Sequence, residues 1–279
     1  VVDLIEENGA IAGVVVKTPD GMREVRASLT IGADGRHSVV RERAKLQIID
    51  LGAPMDVFWM RLGHRPTDPA QTFGHVEPGK IFVMLDREDY WQCAYVIPKG
   101  RGEEIKNKGL AAFREEIAAL SPFLADRVEE LRDWKDISLL TVRVDRLARW
   151  YRPGLLCIGD AAHAMSPIGG VGINLAIQDA VAAANILCSK LRQGTPSVED
   201  LHAVQRRRMF PTRATQRMQL VVQNNVIRRV LGATKPLSLP WFLKLFRRFP
   251  FLRRIPARVV GIGFRPEHIS TQEQEKAVD

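Results

Sequence analysis

Two carboxylates in this chain stand beside glycines at the ends of apolar runs: Asp160 in Gly159-Asp160-Ala161-Ala162-His163, and Asp34 in Ile31-Gly32-Ala33-Asp34-Gly35-Arg36-His37-Ser38. Leu155-Leu156-Cys157-Ile158 is short and wholly apolar, as a strand buried on both faces of a sheet must be. Asp160 then falls just past the carboxyl end of that strand, where open α/β sheets bind ligands. The next segment, Ser166-Pro167-Ile168-Gly169-Gly170-Val171-Gly172-Ile173-Asn174, leaves backbone bare at Gly169, Gly170 and Gly172, so that a flat ring can come close. From about Val171 to Leu191 the pattern predicts a helix whose free N–H groups and positive dipole end point back at the turn. Such a terminus suits an anionic or electron-rich ligand atom. Taken alone, the glycine-rich turn is equally compatible with a tight strand-to-helix connection.

The two segments together resemble the flavoprotein monooxygenases typified by para-hydroxybenzoate hydroxylase. The Asp34 segment is similar to that family's Asp-Gly motif, associated with FAD and NAD(P)H binding, and the Asp160 segment to its Gly-Asp motif, whose aspartate binds the ribityl chain of FAD. The resemblance implies an NAD(P)H- and O2-dependent hydroxylation through a flavin C4a-hydroperoxide, the cofactor carrying the hard steps. By the same resemblance, Asp34, Gly35, Arg41, Gly159, Asp160, Pro167, Gly169, Gly170, Gly172, Ile173 and Asn174 are the expected cofactor-binding residues. The amides of Ile173 and Asn174 are expected at the N1/C2=O edge of the ring, and Pro167 in the turn where oxygen reacts. Pro167 is the one residue assigned to catalysis; no general base is assigned. Asp34 is expected to order the loop around the dinucleotides.

Other residues stay open. Arg41 could pair with Asp34 or bind a phosphate. His163 reads as a structural histidine more readily than as a proton shuttle. Trp59, Trp91 and Tyr95 fall at alternating strand positions, where they could face an aromatic substrate or simply pack. Asp179 and Gln178, inside the helix, read as packing or solvated residues.

The family opens on a strand–turn–helix with Gly-x-Gly-x-x-Gly that cradles the FAD pyrophosphate. No such pattern precedes Gly32 here, and the chain starts at Val1 in what reads as mid-domain sequence. The resemblance therefore implies an N-terminally truncated flavoenzyme holding part of its FAD site.

The expected fold is α/β plus α+β: a partial FAD-binding, Rossmann-like domain of glutathione-reductase type, an inserted mainly antiparallel substrate sheet, and a helical C-terminal tail. Residues 1–48 carry the Asp-Gly motif, 49–138 form the substrate sheet, 139–200 return to the FAD domain with the Gly-Asp motif, and 201–279 form a basic helical extension. Strands are predicted at Ile11–Lys17, across Met22–Ala33, and at Val57–Leu62, Lys80–Leu85 and Tyr90–Ile97. Gly109–Leu131 reads as helix interrupted near Ser121-Pro122, and Ile137–Leu147 as extended.

Composition is that of a globular protein, with 46% hydrophobic residues and a formal charge of +9. Its three cysteines, Cys93, Cys157 and Cys188, are odd in number and widely spaced, which argues against a disulfide framework. The six histidines show no metal-ligand spacing, so no metal is expected. No apolar run approaches the ~18 residues that span a bilayer. Between Leu201 and His268 there are fifteen Lys and Arg and one carboxylate, Glu267, so the excess positive charge is local to the tail. Pro240-Trp241-Phe242-Leu243-Lys244-Leu245-Phe246-Arg247-Arg248-Phe249 mixes aromatics with cations, as interfacial membrane segments do; a helix packed on the FAD domain is the simpler reading. The basic residues match no nucleic-acid-binding module, so no nucleic-acid partner is expected.

The expected partners are O2, NADH or NADPH and a phenolic or polyketide-like aromatic substrate, in the cytoplasm. Two alternatives are an epoxidase, hydroxylase or oxidoreductase of an isoprenoid quinone or lipid, with the tail in peripheral membrane contact, and an inactive apo fragment or one part of a split protein. Halogenation is set aside, because Cys93-Ala94-Tyr95-Val96-Ile97-Pro98 lacks both tryptophans of the halogenase motif Trp-x-Trp-x-Ile-Pro.

Overall fold

A computed structural model describes residues 1–69, 71–235, 248–249, 251 and 254–270. The chain divides into two compact units, one of 1–52, 143–219 and 246–279, the other of 53–142 and 220–245. Most of the aromatic-basic stretch Pro240–Phe249 lies outside the described residues, which include only its Arg248 and Phe249.

The first unit opens with β1 (Asp3–Glu7), β2 (Ala10–Thr18) and β3 (Gly21–Arg26), an antiparallel meander. Gly9 and Gly21 turn the chain with positive φ, which glycine tolerates without steric cost. The run expected across Met22–Ala33 is two strands, since β4 (Thr30–Gly32) is separate and belongs to another sheet. A short helix, α1 (Val39–Arg43), and β5 (Ile48–Asp50) complete this portion.

The second unit contains β6 (Met55–Gly63), β7 (Phe73–Glu77), β8 (Lys80–Asp86), β9 (Tyr90–Pro98), α2 (Gly102–Asn107), α3 (Leu110–Leu120) and β10 (Ile137–Leu140). Its sheet is antiparallel throughout, in the order β10-β6-β9-β8-β7. One face carries Phe58, Met60, Leu62, Phe82, Met84, Trp91, Cys93, Tyr95 and Ile97, buried against Phe113, Ile117 and Leu120 of α3. The opposite face also buries Met55, Val57, Ile81, Ala94 and Val96, so the in-and-out alternation is clear only toward the Leu62 and Trp91 end of the sheet. The helix predicted over Gly109–Leu131 ends at Leu120: Ser121 is extended (φ −142°, ψ 81°) ahead of Pro122, and single 3-10 turns follow.

The chain then returns to the first unit through β11 (Asp145–Leu147), β12 (Tyr151–Arg152) and β13 (Leu155–Cys157), the long helix α4 (Gly172–Gln193), and α5 (Val198–Val222). After these come α6 (Arg228–Leu231) and α7 (Arg254–Gly261). β13 is the centre of a three-stranded sheet, antiparallel to β12 and parallel to β4, with Leu155, Leu156 and Cys157 fully buried. The core here joins Ile11, Val40, Trp150, Leu155, Leu156, Ala183, Leu187, Leu201 and Val204. One sequence expectation needs correction: the stretch Ile168–Gln193 is long and apolar enough, by length and composition, to cross a membrane. In this fold Leu175, Ala182, Ala183 and Leu187 of that stretch are buried, and its Asp179 is ion-paired.

Candidate functional site

The parallel pairing of β4 with β13 brings the two motifs together. Gly32 stands opposite Cys157, so Asp34 and Asp160 both emerge just beyond the carboxyl ends of adjacent parallel strands. The Arg36 guanidinium lies 3.8 Å from the Asp160 carboxylate, each side chain about a third exposed, and so links the two segments directly.

Asp34 is held inside its own loop. Its carboxylate accepts the Ser38 hydroxyl at 2.5 Å and the Val40 N–H at 3.1 Å, while Ser38 Oγ caps α1 by accepting the Arg41 N–H. Gly35 takes φ +83° in this turn. Arg41 does not pair with Asp34, whose oxygens are already engaged. Its guanidinium is buried and donates to Asp145 at 3.2 Å and to the Arg36 carbonyl at 2.5 Å. Arg36, His37, Arg41 and Arg143 nevertheless line a recess of about 430 Å³, where Glu42 is the one carboxylate among the described lining residues.

At the other motif, Gly159 adopts φ +57°, and a Cβ there would meet Ala176 Cβ at 3.0 Å. Pro167 (φ −65°, ψ −10°) opens the following turn and accepts the Gly170 N–H at 3.1 Å. Gly169 and Gly170 both have positive φ, +76° and +63°, so β-carbons would strain this turn, although nothing lies within 4 Å of the position a Cβ would take on Gly170. Gly172 begins α4, and its missing Cβ would stand 4.0 Å from Asp160 Oδ1. No side chain caps α4 among the described residues, so its first-turn amides, those of Ile173 and Asn174 included, lack the partners a cap would supply. Ile173 is 68% exposed beside them, an apolar side chain of large size left uncovered at the helix start. Every expected cofactor residue thus lies in the first unit, around one strand-end constellation.

FAD fits these residues. Its isoalloxazine is flat and gathers negative charge on reduction, and the site offers a glycine turn, open in front of Gly170, against an uncapped helix N-terminus. A carboxylate able to accept from a ribityl hydroxyl stands at the neighbouring strand end.

Sequence reasoning passed over what holds this turn. Asp179, taken as packing or solvated, is 0% exposed and accepts the Gly159 N–H at 3.0 Å, His163 Nε2 at 2.6 Å and Arg208 Nε at 3.0 Å. Burial pushes its carboxyl up, but the His163 ring and the Arg208 guanidinium outweigh this and hold it below the ordinary carboxylate range. His163 is equally buried, against Trp150 at 4.9 Å between ring centroids. Gln219 clamps the glycine turn by accepting the Ser166 N–H and donating to the Ser166 and Ile168 carbonyls. A signal for Asp179 was present: at helical spacing it shares a face with Leu175, Ala182 and Ala183, and a carboxylate on a buried face requires a cation.

In the second unit the register separates the three aromatics. Trp91 and Tyr95 lie on the face covered by α3, and the Trp91 indole donates to Asp68 at 2.8 Å. Trp59, opposite Ala94, is on the other face.

The chain belongs to the FAD binding domain family, which matches residues 1–218. It is similar to 6-methylpretetramide 4-monooxygenase of Streptomyces rimosus, with 36% identity over 264 residues, covering 92% of this chain and 61% of that protein. Among solved structures it resembles the OxyS anhydrotetracycline hydroxylase of Streptomyces rimosus (TM-score 0.67, 19% identity, 97% of this chain and 53% of that one). It also resembles PqsL, a probable FAD-dependent monooxygenase of Pseudomonas aeruginosa (TM-score 0.64, 22% identity, 81% and 63%). At those identities the solved structures establish the fold alone. The chain spans under two thirds of the length of each of these proteins.

Proposed function

We propose that the chain forms the ribityl- and ring-binding part of an FAD-dependent monooxygenase that uses NADH or NADPH and O2 to hydroxylate an aromatic, polyketide-like substrate. The observation that carries this is the meeting of Asp34 and Asp160 at the ends of β4 and β13, beside the uncapped start of α4. The similarity to a monooxygenase named for 6-methylpretetramide supports the polyketide-like substrate class.

When bound, FAD supplies the redox chemistry that activates O2. The chain's residues bind and orient. Asp160 accepts a hydrogen bond from a ribityl hydroxyl. Gly169 and Gly170 let the ring approach the backbone, Pro167 sets the turn beside it, and the Ile173 and Asn174 amides stabilise charge on its electron-rich edge. Asp34 and Gly35 order the dinucleotide loop, Arg41 braces it from inside through Asp145, and the arginine-lined recess takes a dinucleotide phosphate. We assign residues 1–48 and 139–200 to FAD binding and the sheet of 49–138 to the substrate; residues 201–279 form the basic helical extension.

The test is twofold. FAD titration should show saturable binding that Asp160→Ala weakens. NAD(P)H oxidation by the flavin-loaded protein should then be stimulated by members of a phenol and polyketide panel. Normal FAD content and full activity in Asp160→Ala would refute the site.

A further inference from the structure

The end of α7 and the segment after it are seated along α4 and α5. Asn174 Nδ2 donates to the Gly261 carbonyl (3.3 Å), Gln178 Nε2 to the Ile262 carbonyl (3.0 Å) and Asn185 Nδ2 to the His268 carbonyl (2.8 Å). Spacings of four and seven residues place these three side chains along one side of the helix. Val260 packs on Met165, Val171 and Leu175, and its Cγ1 lies 3.5 Å from where a Cβ would stand on Gly169. The strap of residues 260–270 therefore touches the glycine turn at one end.

It also reaches the Gly-Asp turn through charge. Glu267 Oε1 accepts Arg208 Nη1 at 3.2 Å and Arg207 Nε at 2.6 Å, and its side chain is only 7% exposed. Arg208 donates Nε to Asp179 Oδ1, Nη2 to Gln178 and Nη1 to the Arg265 carbonyl. Asp179 Oδ2 in turn accepts the Gly159 N–H. The path from Glu267 to the residue before Asp160 is thus a continuous run of buried, charge-assisted hydrogen bonds. Such bonds hold geometry more tightly than neutral ones, and breaking one end leaves the remaining charges uncompensated.

We propose that Glu267 and Arg208 are positioning residues for the flavin site: acting through Asp179, the C-terminal strap fixes the Gly159 amide and so the placement of Asp160. This rests on the reading of Asp160 as an FAD ligand. The strap is then a working part of the cofactor site, although it lies about a hundred residues beyond Asp160 in the chain.

The test uses the intact protein, with the FAD dissociation constant and the visible absorption band of bound FAD as readouts. Glu267→Ala should weaken FAD binding about tenfold and shift the band, since it removes the hydrogen bond from Arg208 that starts the path, together with the two from Arg207. Glu267→Gln, which keeps an acceptor for Arg208, should restore most of the affinity. Asn185→Ala removes strap contacts that lie off the path, to the His268 carbonyl and the Ser270 amide, and should leave both readouts unchanged. Affinity within twofold of the parent in Glu267→Ala, while Asp160→Ala loses FAD, would overturn the proposal. So would an equal loss in Asn185→Ala, which would reduce the strap to general support. If Asp160→Ala itself kept full affinity, the FAD-site reading would fall first.

Discussion

The Arg36 guanidinium stands 3.8 Å from the Asp160 carboxylate, although 124 positions separate them, because β4 and β13 run side by side in parallel. A pair this accessible to water contributes only about 0–1 kcal/mol to folding. Asp160→Ala should therefore leave the stability of the flavin-free protein within about 1 kcal/mol of the parent, while FAD affinity falls at least about tenfold. Urea unfolding beside fluorescence titration with FAD separates the two effects, and a large stability loss with unchanged affinity would make Asp160 a structural residue.

Glycines at positive φ should divide by their surroundings. A Cβ on Gly154 (φ +72°) would stand 2.0 Å from the Ile11 carbonyl oxygen, so Gly154→Ala must displace backbone and should cost about 3 kcal/mol or more. Gly170 (φ +63°) faces open space, so Gly170→Ala should cost only about 1 kcal/mol of conformational strain. Thermal melts rank the two; equal losses would mean that the Gly154 turn relaxes freely.

In the second unit Asp68 and Arg127 form a buried ion pair, with both side chains about 5% exposed or less. Burial pushes the Asp68 carboxyl up, but hydrogen bonds from Arg127, the Trp91 indole and the Arg65 amide prevail and hold it well below the usual range. A depressed native pKa stabilises above the unfolded value, near about 4, and that contribution is lost as pH falls below it. Asp68→Asn should cost about 3–5 kcal/mol at neutral pH, with the gap to the parent closing below about pH 4. Urea melts across pH 3–7 measure this, and a gap independent of pH would refute the assignment.

Thiol reactivity should follow burial. The Cys93 thiol is pushed up to about 12 by burial, and that of Cys157 likewise by burial and the nearby Asp34 charge. Cys188 is only half-buried. A disulfide reagent at pH 8 should titrate one thiol in the folded protein and three in denaturant, with Cys188→Ser abolishing the folded-state reaction. Prompt reaction at either buried cysteine would show that its core opens readily.

The sequence by itself determined the local parts of this protein. Leu155–Ile158 reads as a buried strand, Gly169-Gly170 as a turn, and the pattern from about Val171 as a helix. Val57–Leu62 and Tyr90–Ile97 likewise read as strands bounded by turn residues, because strand and helix periods are imposed by the backbone itself. The pairings were decided by the tertiary structure alone. That Arg41 meets Asp145 rather than Asp34, that Trp59 and Trp91 lie on opposite faces, and that Arg208 rather than one of its neighbours neutralises Asp179 all depend on register and helix rotation. The need for a cation near Asp179 is local and legible in the helix. Which cation meets it depends on how α5 lies against α4, since a charge buried in a core is tolerated only where packing delivers its partner.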